Sequence, residues 1–171
     1  MADENGTFVV SLPRPIGHVL YHAEVQNGET AVVSPELLLV LDGGNGPLAV
    51  LQAGWPSLRL DRALPLGAVD ADDGRVLLSG QLPTADGSVR VTTQHGTRAH
   101  RLGPDGKWTA AEELTGPQAI QVDGNTYEWP GRGESTGEQT DIERAGRGWR
   151  IIWRTPGGGR QSTWLPDATA S

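Results

Sequence analysis

The side chains best suited to catalysis are a histidine, an arginine and a tyrosine in the second half of the chain. His100 follows Arg98 by two residues, so both point to the same face if this segment is a strand. An imidazole can transfer a proton near neutral pH, and a guanidinium can hold an anionic group. Tyr127 could supply a further hydrogen-bond donor. We therefore take His100, Tyr127 and Arg98 as candidate catalytic residues, with core packing of the histidine as the alternative.

Two other polar groups are weaker candidates for a metal site. His18, His22 and Glu24 share one face of a predicted strand. Residues four apart in a strand lie roughly 13–14 Å apart, so the two histidines are too distant to share a metal ion. A solvated outer face is the better interpretation.

The acidic group Asp70, Asp72 and Asp73 precedes Gly74 and could begin a calcium-binding loop. It lacks the full spacing of an EF-hand and the glutamate at the twelfth position, so we predict a solvated turn. The sequence also contains no His-Glu-x-x-His zinc motif, and it has no cysteine to supply a thiolate. We expect neither a metal nor a cofactor.

The aromatic composition is unusual, with six tryptophans, two tyrosines and one phenylalanine. Tryptophan combines a large apolar area with one N–H group that needs a partner when buried. One interpretation is that these rings fill a small β core. A second is that they line a ligand cavity, because a closed barrel of about eight strands can hold one small molecule. A third is that they form an exposed platform for sugars or a partner protein. The candidate ligand-binding residues are Trp108, Trp129, Trp149, Trp153 and Trp164.

The elements that must position these side chains are short strands, because alternation of apolar and polar residues dominates and turn signals recur every 8–12 residues. At the end of the chain, a turn at Gly146-Arg147 places Ile142 opposite Ile151. A loop through 156–159 that sets Thr155 opposite Arg160 would then place Trp164 opposite Ile151. Both turns predict one inward cluster that contains Ile142, Trp149, Ile151, Trp153 and Trp164.

Three more turns predict a second inward face in the middle of the chain. A turn at Gly124-Asn125 pairs Val122 with Tyr127 and Ile120 with Trp129. The segment 103–106 is typical of a type I turn followed by a glycine bulge, and it would align Leu102 with Trp108. A turn at His95-Gly96 pairs Val91 with His100. Residues 75–81 add a further strand, and the shared face contains Val89, Val91, His100, Leu102 and Trp108.

The first third of the sequence is less regular. Asn27-Gly28 predicts a hairpin between 18–26 and 29–33. Residues 34–42 fit either a short helix that begins at Ser34-Pro35 or a buried strand over 37–41 that turns back into 48–52. Because Pro56 and Pro65 interrupt it, we predict that 54–68 is an irregular crossover.

These patterns predict an all-β protein, an antiparallel barrel or sandwich of about 8–11 short strands with at most one or two short helices. We expect a single domain over 1–171, with polar ends at 1–6 and 167–171. The net charge of −7 disfavours nucleic acid and anionic membranes as partners. The acidic N-terminus and the lack of a long apolar run predict a soluble, cytoplasmic protein.

Two functions remain open at this point. The first is a binding or assembly role, either holding a hydrophobic small molecule in the interior or self-associating. The second is a cofactor-free enzyme, of the cyclase or isomerase type, that acts on a hydrophobic substrate between tryptophan walls. Such an enzyme works by confinement and orientation, so a lack of motifs is weak evidence against it.

Overall fold

The computed structural model describes residues 11, 18–21, 24–33, 37–40, 49–52, 55–59, 66–70, 73–83, 87–133, 140–154 and 160–167. Sixteen strands and no helix lie in this part of the chain. The strands are β1 (His18–Tyr21), β2 (Glu24–Asn27), β3 (Thr30–Val33), β4 (Leu37–Val40), β5 (Ala49–Gln52), β6 (Trp55–Arg59), β7 (Gly67–Asp70), β8 (Val76–Gln81), β9 (Ser88–Thr93), β10 (Gly96–Arg101), β11 (Lys107–Glu112), β12 (Gln118–Val122), β13 (Asn125–Trp129), β14 (Asp141–Arg144), β15 (Gly148–Arg154) and β16 (Arg160–Pro166).

The strands form four antiparallel sheets. The central sheet has the order β11-β8-β7-β16-β15-β14, the outer sheet β10-β9-β12-β13 and the N-terminal sheet β1-β4-β5-β6, while β2 and β3 form a separate hairpin. The prediction of an all-β, antiparallel fold is confirmed, although the described strands outnumber the predicted 8–11. Each described sheet keeps two edge strands and none closes into a barrel, so the architecture is sandwich-like.

The central sheet is covered on both faces. Its strand β16 is buried at every residue from Gln161 to Pro166. One face packs against the outer sheet in a core that includes Leu78, Trp164 and Ile120. The other face forms a smaller core with Leu51 of the N-terminal sheet. The described sheets therefore form three layers, and a side chain of the central sheet enters one core or the other according to its position in the strand.

Two predicted turns are displaced along the chain, yet the predicted faces are correct. Val122 pairs with Asn125, so the turn is at Asp123-Gly124, and both turn residues have positive φ angles, 49° and 86°. In the β9–β10 hairpin the turn likewise moves one position towards the N-terminus. Moving a two-residue turn by one position changes the pairing by two residues, which preserves the face of every side chain. Ile120, Val122, Tyr127 and Trp129 are accordingly all buried.

The predicted register between β15 and β16 is wrong by one residue. Arg154 pairs with Arg160, so five residues connect the strands and Ile151 lies opposite Thr163 instead of Trp164. A shift by one residue reverses the face of every side chain. Trp164 therefore belongs to the core below the outer sheet, while Trp153 and Ile151 lie in the core on the opposite face. The single cluster predicted for Trp149, Trp153 and Trp164 does not form.

In the first third, the strand interpretation of 37–40 is confirmed, since β4 pairs with β5 from Leu37↔Gln52 to Val40↔Ala49. The irregular crossover predicted for 54–68 is wrong over 55–59, which form β6, and over 67–68, which begin β7. Strand β6 lies at the edge of its sheet. An edge strand tolerates Pro56, which has no backbone N–H group, because one side of the strand pairs with no neighbour. The predicted helix start at Ser34-Pro35 lies outside the described residues. The Asn27-Gly28 hairpin forms with its turn moved to Gly28-Glu29.

Candidate functional site

The candidate site lies where edge strands of the two facing sheets meet. The turn after β10 closes with a hydrogen bond from Gly106 N–H to the Gly103 carbonyl, 3.0 Å, and Gly106 has a φ of 73°. This agrees with the type I turn and glycine bulge predicted from the sequence. The hairpin does not continue beyond it, because β10 pairs with β9 in the outer sheet and β11 pairs with β8 in the central sheet. The turn therefore joins two layers.

We call the boundary between these strands the β10–β11 seam, formed by Arg98, His100, Trp108 and Glu112. Strand alternation places Arg98 and His100 on the inward face of β10, and Trp108 and Glu112 on the inward face of β11. The four side chains thus share the space at one side of the sandwich. Ala110, with its small side chain, lies between Trp108 and Glu112 and is also buried.

The rings of His100 and Trp108 are stacked, with centroids 6.3 Å apart and an interplanar angle of 24°. Trp108 is 2% exposed. In the described part of the chain, neither Nε2 of His100 nor Nε1 of Trp108 has a hydrogen-bond partner, although both atoms are buried. Such an atom destabilises the fold by about 1–3 kcal/mol unless something satisfies it. Ser79 Oγ and Trp153 Nε1 share this property in the described part of the chain, but the atoms of His100 and Trp108 belong to two stacked rings.

A charged pair lies further along the seam. Arg98 Nη1 is 3.9 Å from Oε1 of Glu112, and the two side chains are 61% and 5% exposed. Glu112 is therefore a buried carboxylate whose counter-ion is at the surface. Glu112 was not among the residues predicted from the sequence, although alternation in 107–112 places it on the same face as Trp108. A charged residue on an otherwise apolar face was the signal that could have found it.

The structure brings Arg98 and His100 to the same seam but not Tyr127. Tyr127 is buried in β13, at the opposite edge of the outer sheet from β10. Three strand spacings separate the two edges, roughly 14 Å. The three candidate catalytic residues therefore do not form one constellation.

The five candidate ligand-binding tryptophans are also divided. Trp108, Trp129 and Trp164 belong to the core between the central and outer sheets, whereas Trp153 and the half-buried Trp149 lie on the other face of the central sheet. One cavity cannot be lined by all five. Trp55 begins β6, and its side chain lies outside the described set.

The N-terminal polar group is divided as well, because His18 is in β1 and Glu24 in β2, which belong to different sheets. The side chain of His18 and the whole of His22 lie outside the described residues. Over the described ranges, no three His, Asp or Glu side chains are grouped as a metal site would require. Within the same ranges, no helix has the length and apolar character of a membrane span.

Asp70, the last residue of β7, and Asp73, in the turn that follows, have different hydrogen-bond partners. Asp73 accepts hydrogen bonds from the backbone N–H and the guanidinium of Arg75, at 3.0 and 2.7 Å, in an exposed turn. These contacts hold the pKa of Asp73 below its usual value. Asp70 instead accepts a hydrogen bond from Gly133 N–H, 2.9 Å. Burial raises the pKa of the Asp70 carboxyl despite that bond. Asp72 lies outside the described residues.

These opposite shifts predict opposite effects of removing the charge. Because its pKa is raised, Asp70 stabilises the fold most below pH 3.8 and loses that contribution as pH rises through the higher folded-state value. Asp70→Asn is therefore expected to raise the free energy of unfolding at neutral pH relative to the wild type, with the gain fading in acid. Urea melts across this pH range provide the measurement.

Asp73→Asn is the matched control, since the stability that Asp73 contributes is present above pH 3.8 and lost as pH falls through its lowered pKa. This variant should be less stable than the wild type at neutral pH, and the difference should disappear in acid. The same direction of change in both variants would contradict the assignment of burial as the dominant effect at Asp70.

A further sequence pattern lies between β13 and β14. Residues 133–137 match the Gly-x-Ser-x-Gly pattern of the nucleophile elbow, with Ser135 at the nucleophile position. Such an elbow joins a strand to a helix, whereas the next described element after β13 is the strand β14. Ser135 itself lies outside the described residues, so the pattern adds no residue to the seam.

Comparison of the chain with models of protein families, with curated proteins and with solved structures gives no match. The chemistry of the β10–β11 seam is therefore the feature that indicates a function.

Proposed function

We propose that the protein binds a small molecule at the β10–β11 seam. The observation that carries this proposal is the pair of buried ring nitrogens, His100 Nε2 and Trp108 Nε1, which have no hydrogen-bond partner among the described residues. Native proteins satisfy nearly all buried polar groups, so such a pair calls for an explanation. Both atoms are closed off in this structure, so binding requires the seam to open; hydrogen-bond acceptors of the bound molecule then satisfy both nitrogens.

The surroundings fit a small molecule with an apolar body. The partly exposed ring of His100 stacks on the buried ring of Trp108, which belongs to the same core as Val89 and Leu102. Binding sites of this kind combine mainly apolar walls with a few polar groups that fix the orientation of the ligand. The ring nitrogens and the Arg98–Glu112 pair supply those polar groups.

Two competing functions have less support. Self-association through an apolar patch would need several exposed hydrophobic side chains. In the described ranges, Val25, at 52% exposure, is the large hydrophobic residue that is exposed. For a cofactor-free enzyme, the acid–base group in the same seam as His100 is Glu112, and its carboxyl group is paired with Arg98. Tyr127, which the sequence offered for that role, lies across the outer sheet.

We expect substitutions at the seam to weaken ligand binding, whereas the same change elsewhere in the core should leave binding unchanged. Small aromatic fragments should bind the wild-type protein in ligand-observed NMR. His100→Phe and Trp108→Phe keep a ring in place but remove the nitrogen, so we expect each to weaken fragment binding about tenfold or more, the effect of one lost hydrogen bond in a buried site.

Trp153→Phe is the matched control, because Trp153 Nε1 is also buried and has no partner in the described part, but it lies on the opposite face of the central sheet. Its fragment affinity should equal that of the wild type. Equal binding by all four proteins, or no fragment that binds the wild type, would overturn the proposal. A crystal structure in which an ordered water alone bridges the two nitrogens would do the same.

A further inference from the structure

We infer that the edge strand β10 binds an extended acidic peptide of a partner protein, which adds to the outer sheet as a further antiparallel strand. The outer sheet ends at β10, since β9 pairs with one side of it and no described strand pairs with the other. We call this unpaired side the open edge of β10. Five of the six residues of β10 are exposed. The inference does not depend on the proposed function.

Backbone groups of alternate residues point towards the open edge. Leu102 N–H donates a hydrogen bond of 3.1 Å to the Gly87 carbonyl, which continues the pairing of β10 with β9 by one residue. In an antiparallel pair, residues that bond the partner strand alternate with residues whose N–H and C=O groups point away from it. Thr97, Ala99 and Arg101 therefore direct these groups to the open edge. In the described part of the chain, their N–H groups form no hydrogen bond outside the β9–β10 ladder. An added strand would satisfy them.

The charge around the open edge is positive, in contrast to the chain as a whole. Residues 88–101, which span the β9–β10 hairpin, contain three arginines and no aspartate or glutamate, whereas the chain has a net charge of −7. Arg90 and Arg101 are exposed and form no ion pair with a described residue. Two copies of β10 paired with each other would bring these like charges together, which is destabilising. The open edge is therefore better suited to a partner that carries carboxylates than to a second copy of this chain.

The two unpaired arginines define where the carboxylates of the peptide should lie. Ala99 and Arg101 are on the outward face of β10, about 7 Å apart along the strand. Arg90 of β9 lies directly opposite Ala99 on the same face. Because Ala99 carries only a methyl group, the long side chain of Arg90 can extend across it to the open edge. Carboxylates at positions i and i+2 of an added strand would therefore meet both guanidinium groups.

The probe is the fluorescein-labelled peptide Thr-Val-Glu-Val-Glu-Val-Thr, and its binding is measured by fluorescence anisotropy. The peptide with glutamine in place of both glutamates should bind about fivefold more weakly, because exposed ion pairs contribute modestly to affinity. Arg90→Gln and Arg101→Gln should each reduce the preference for the acidic peptide. Arg147→Gln makes the same change of charge in the exposed turn between β14 and β15, and it should preserve the preference.

N-methylation of the peptide separates strand addition from attraction by charge alone. Methyl groups on the two glutamate nitrogens remove the N–H groups that would face β10, so they should abolish binding. Methyl groups on the two valines that follow the glutamates would face solvent and should be tolerated. On the protein, Ala99→Pro removes the N–H group at the centre of the open edge. An edge strand tolerates proline where the missing N–H faces solvent, so this variant should keep its urea midpoint but lose the peptide.

Three results would overturn the inference. Equal affinity for the glutamate and glutamine peptides would contradict an acidic partner. Binding that survives methylation of the glutamate nitrogens would contradict strand addition, and this measurement uses the wild-type protein, so it holds even if Ala99→Pro does not fold. Absence of binding of the acidic peptide to the wild type would show that the arginines only keep the edge strand from pairing.

Discussion

Replacing Trp164 with alanine is expected to lower the free energy of unfolding by roughly 3–5 kcal/mol, the range for truncating a buried tryptophan. Trp164 is 2% exposed, and its Nε1–H donates a hydrogen bond of 2.9 Å to the buried carbonyl of Ala145. Truncation would remove both the packing and this donor. Because domains of this size are stable by only about 5–15 kcal/mol, urea melts should register a large shift in midpoint.

The position of Trp164 relative to Trp153 can be tested with milder substitutions. The central sheet separates the two rings, so the losses from Trp164→Phe and Trp153→Phe should add to within about 0.5 kcal/mol in a double-mutant cycle. Trp164→Phe should be the more damaging of the two, because it breaks a formed hydrogen bond. A coupling well above that limit would indicate that both rings share one cluster.

The second large effect is expected at Gly148, where β15 approaches β16 closely. A Cβ atom at this position would lie 2.7 Å from Nε1 and 2.8 Å from Cε2 of Trp164, and it would also collide with the Leu165 carbonyl oxygen. The backbone oxygen cannot move without breaking the sheet. Gly148→Ala should therefore destabilise the protein by about 1–3 kcal/mol or more, although alanine is only one carbon larger.

Gly103→Ala is the control for the Gly148 prediction. A Cβ there would meet only the Lys107 carbonyl oxygen, at 3.4 Å, which the neighbouring backbone can accommodate with a small shift. We expect its unfolding midpoint in urea to stay close to that of the wild type. If the two variants lose the same stability, the cost at Gly148 comes from glycine's backbone freedom and not from the contact with Trp164.

The hairpins show which errors in sequence interpretation are harmless. In β12 and β13 the turn was predicted one position too late, yet Ile120 and Tyr127 face the core as expected, because the pairing changed by two residues. At β16 the loop was predicted one residue too short, and that single residue moved Trp164 to the opposite core. Turn residues alone do not decide loop length to one residue, whereas alternation decides the face within each strand.

The seam shows a similar division. Alternation already put Arg98 and His100 on one face, and the segment 103–106 already indicated the turn that follows them. The partner strands of β10 and β11 could not be read from local pattern, because the sequence predicts one hairpin where the chain passes between two sheets. For this reason the sequence did not indicate that Glu112 belongs to the site or that Tyr127 lies outside it.

The sequence by itself therefore determined the all-β class, the antiparallel hairpins and the inward face of most strands in the second half, because period-two alternation and turn residues are local properties. Only the tertiary structure decided which strands share a sheet and that the central sheet is buried on both faces. A strand covered on both sides, such as β16, loses the contrast between apolar and polar faces that alternation needs. For this reason the division of the tryptophans between two cores, and the contact between His100 and Trp108, followed only from the packing of the layers.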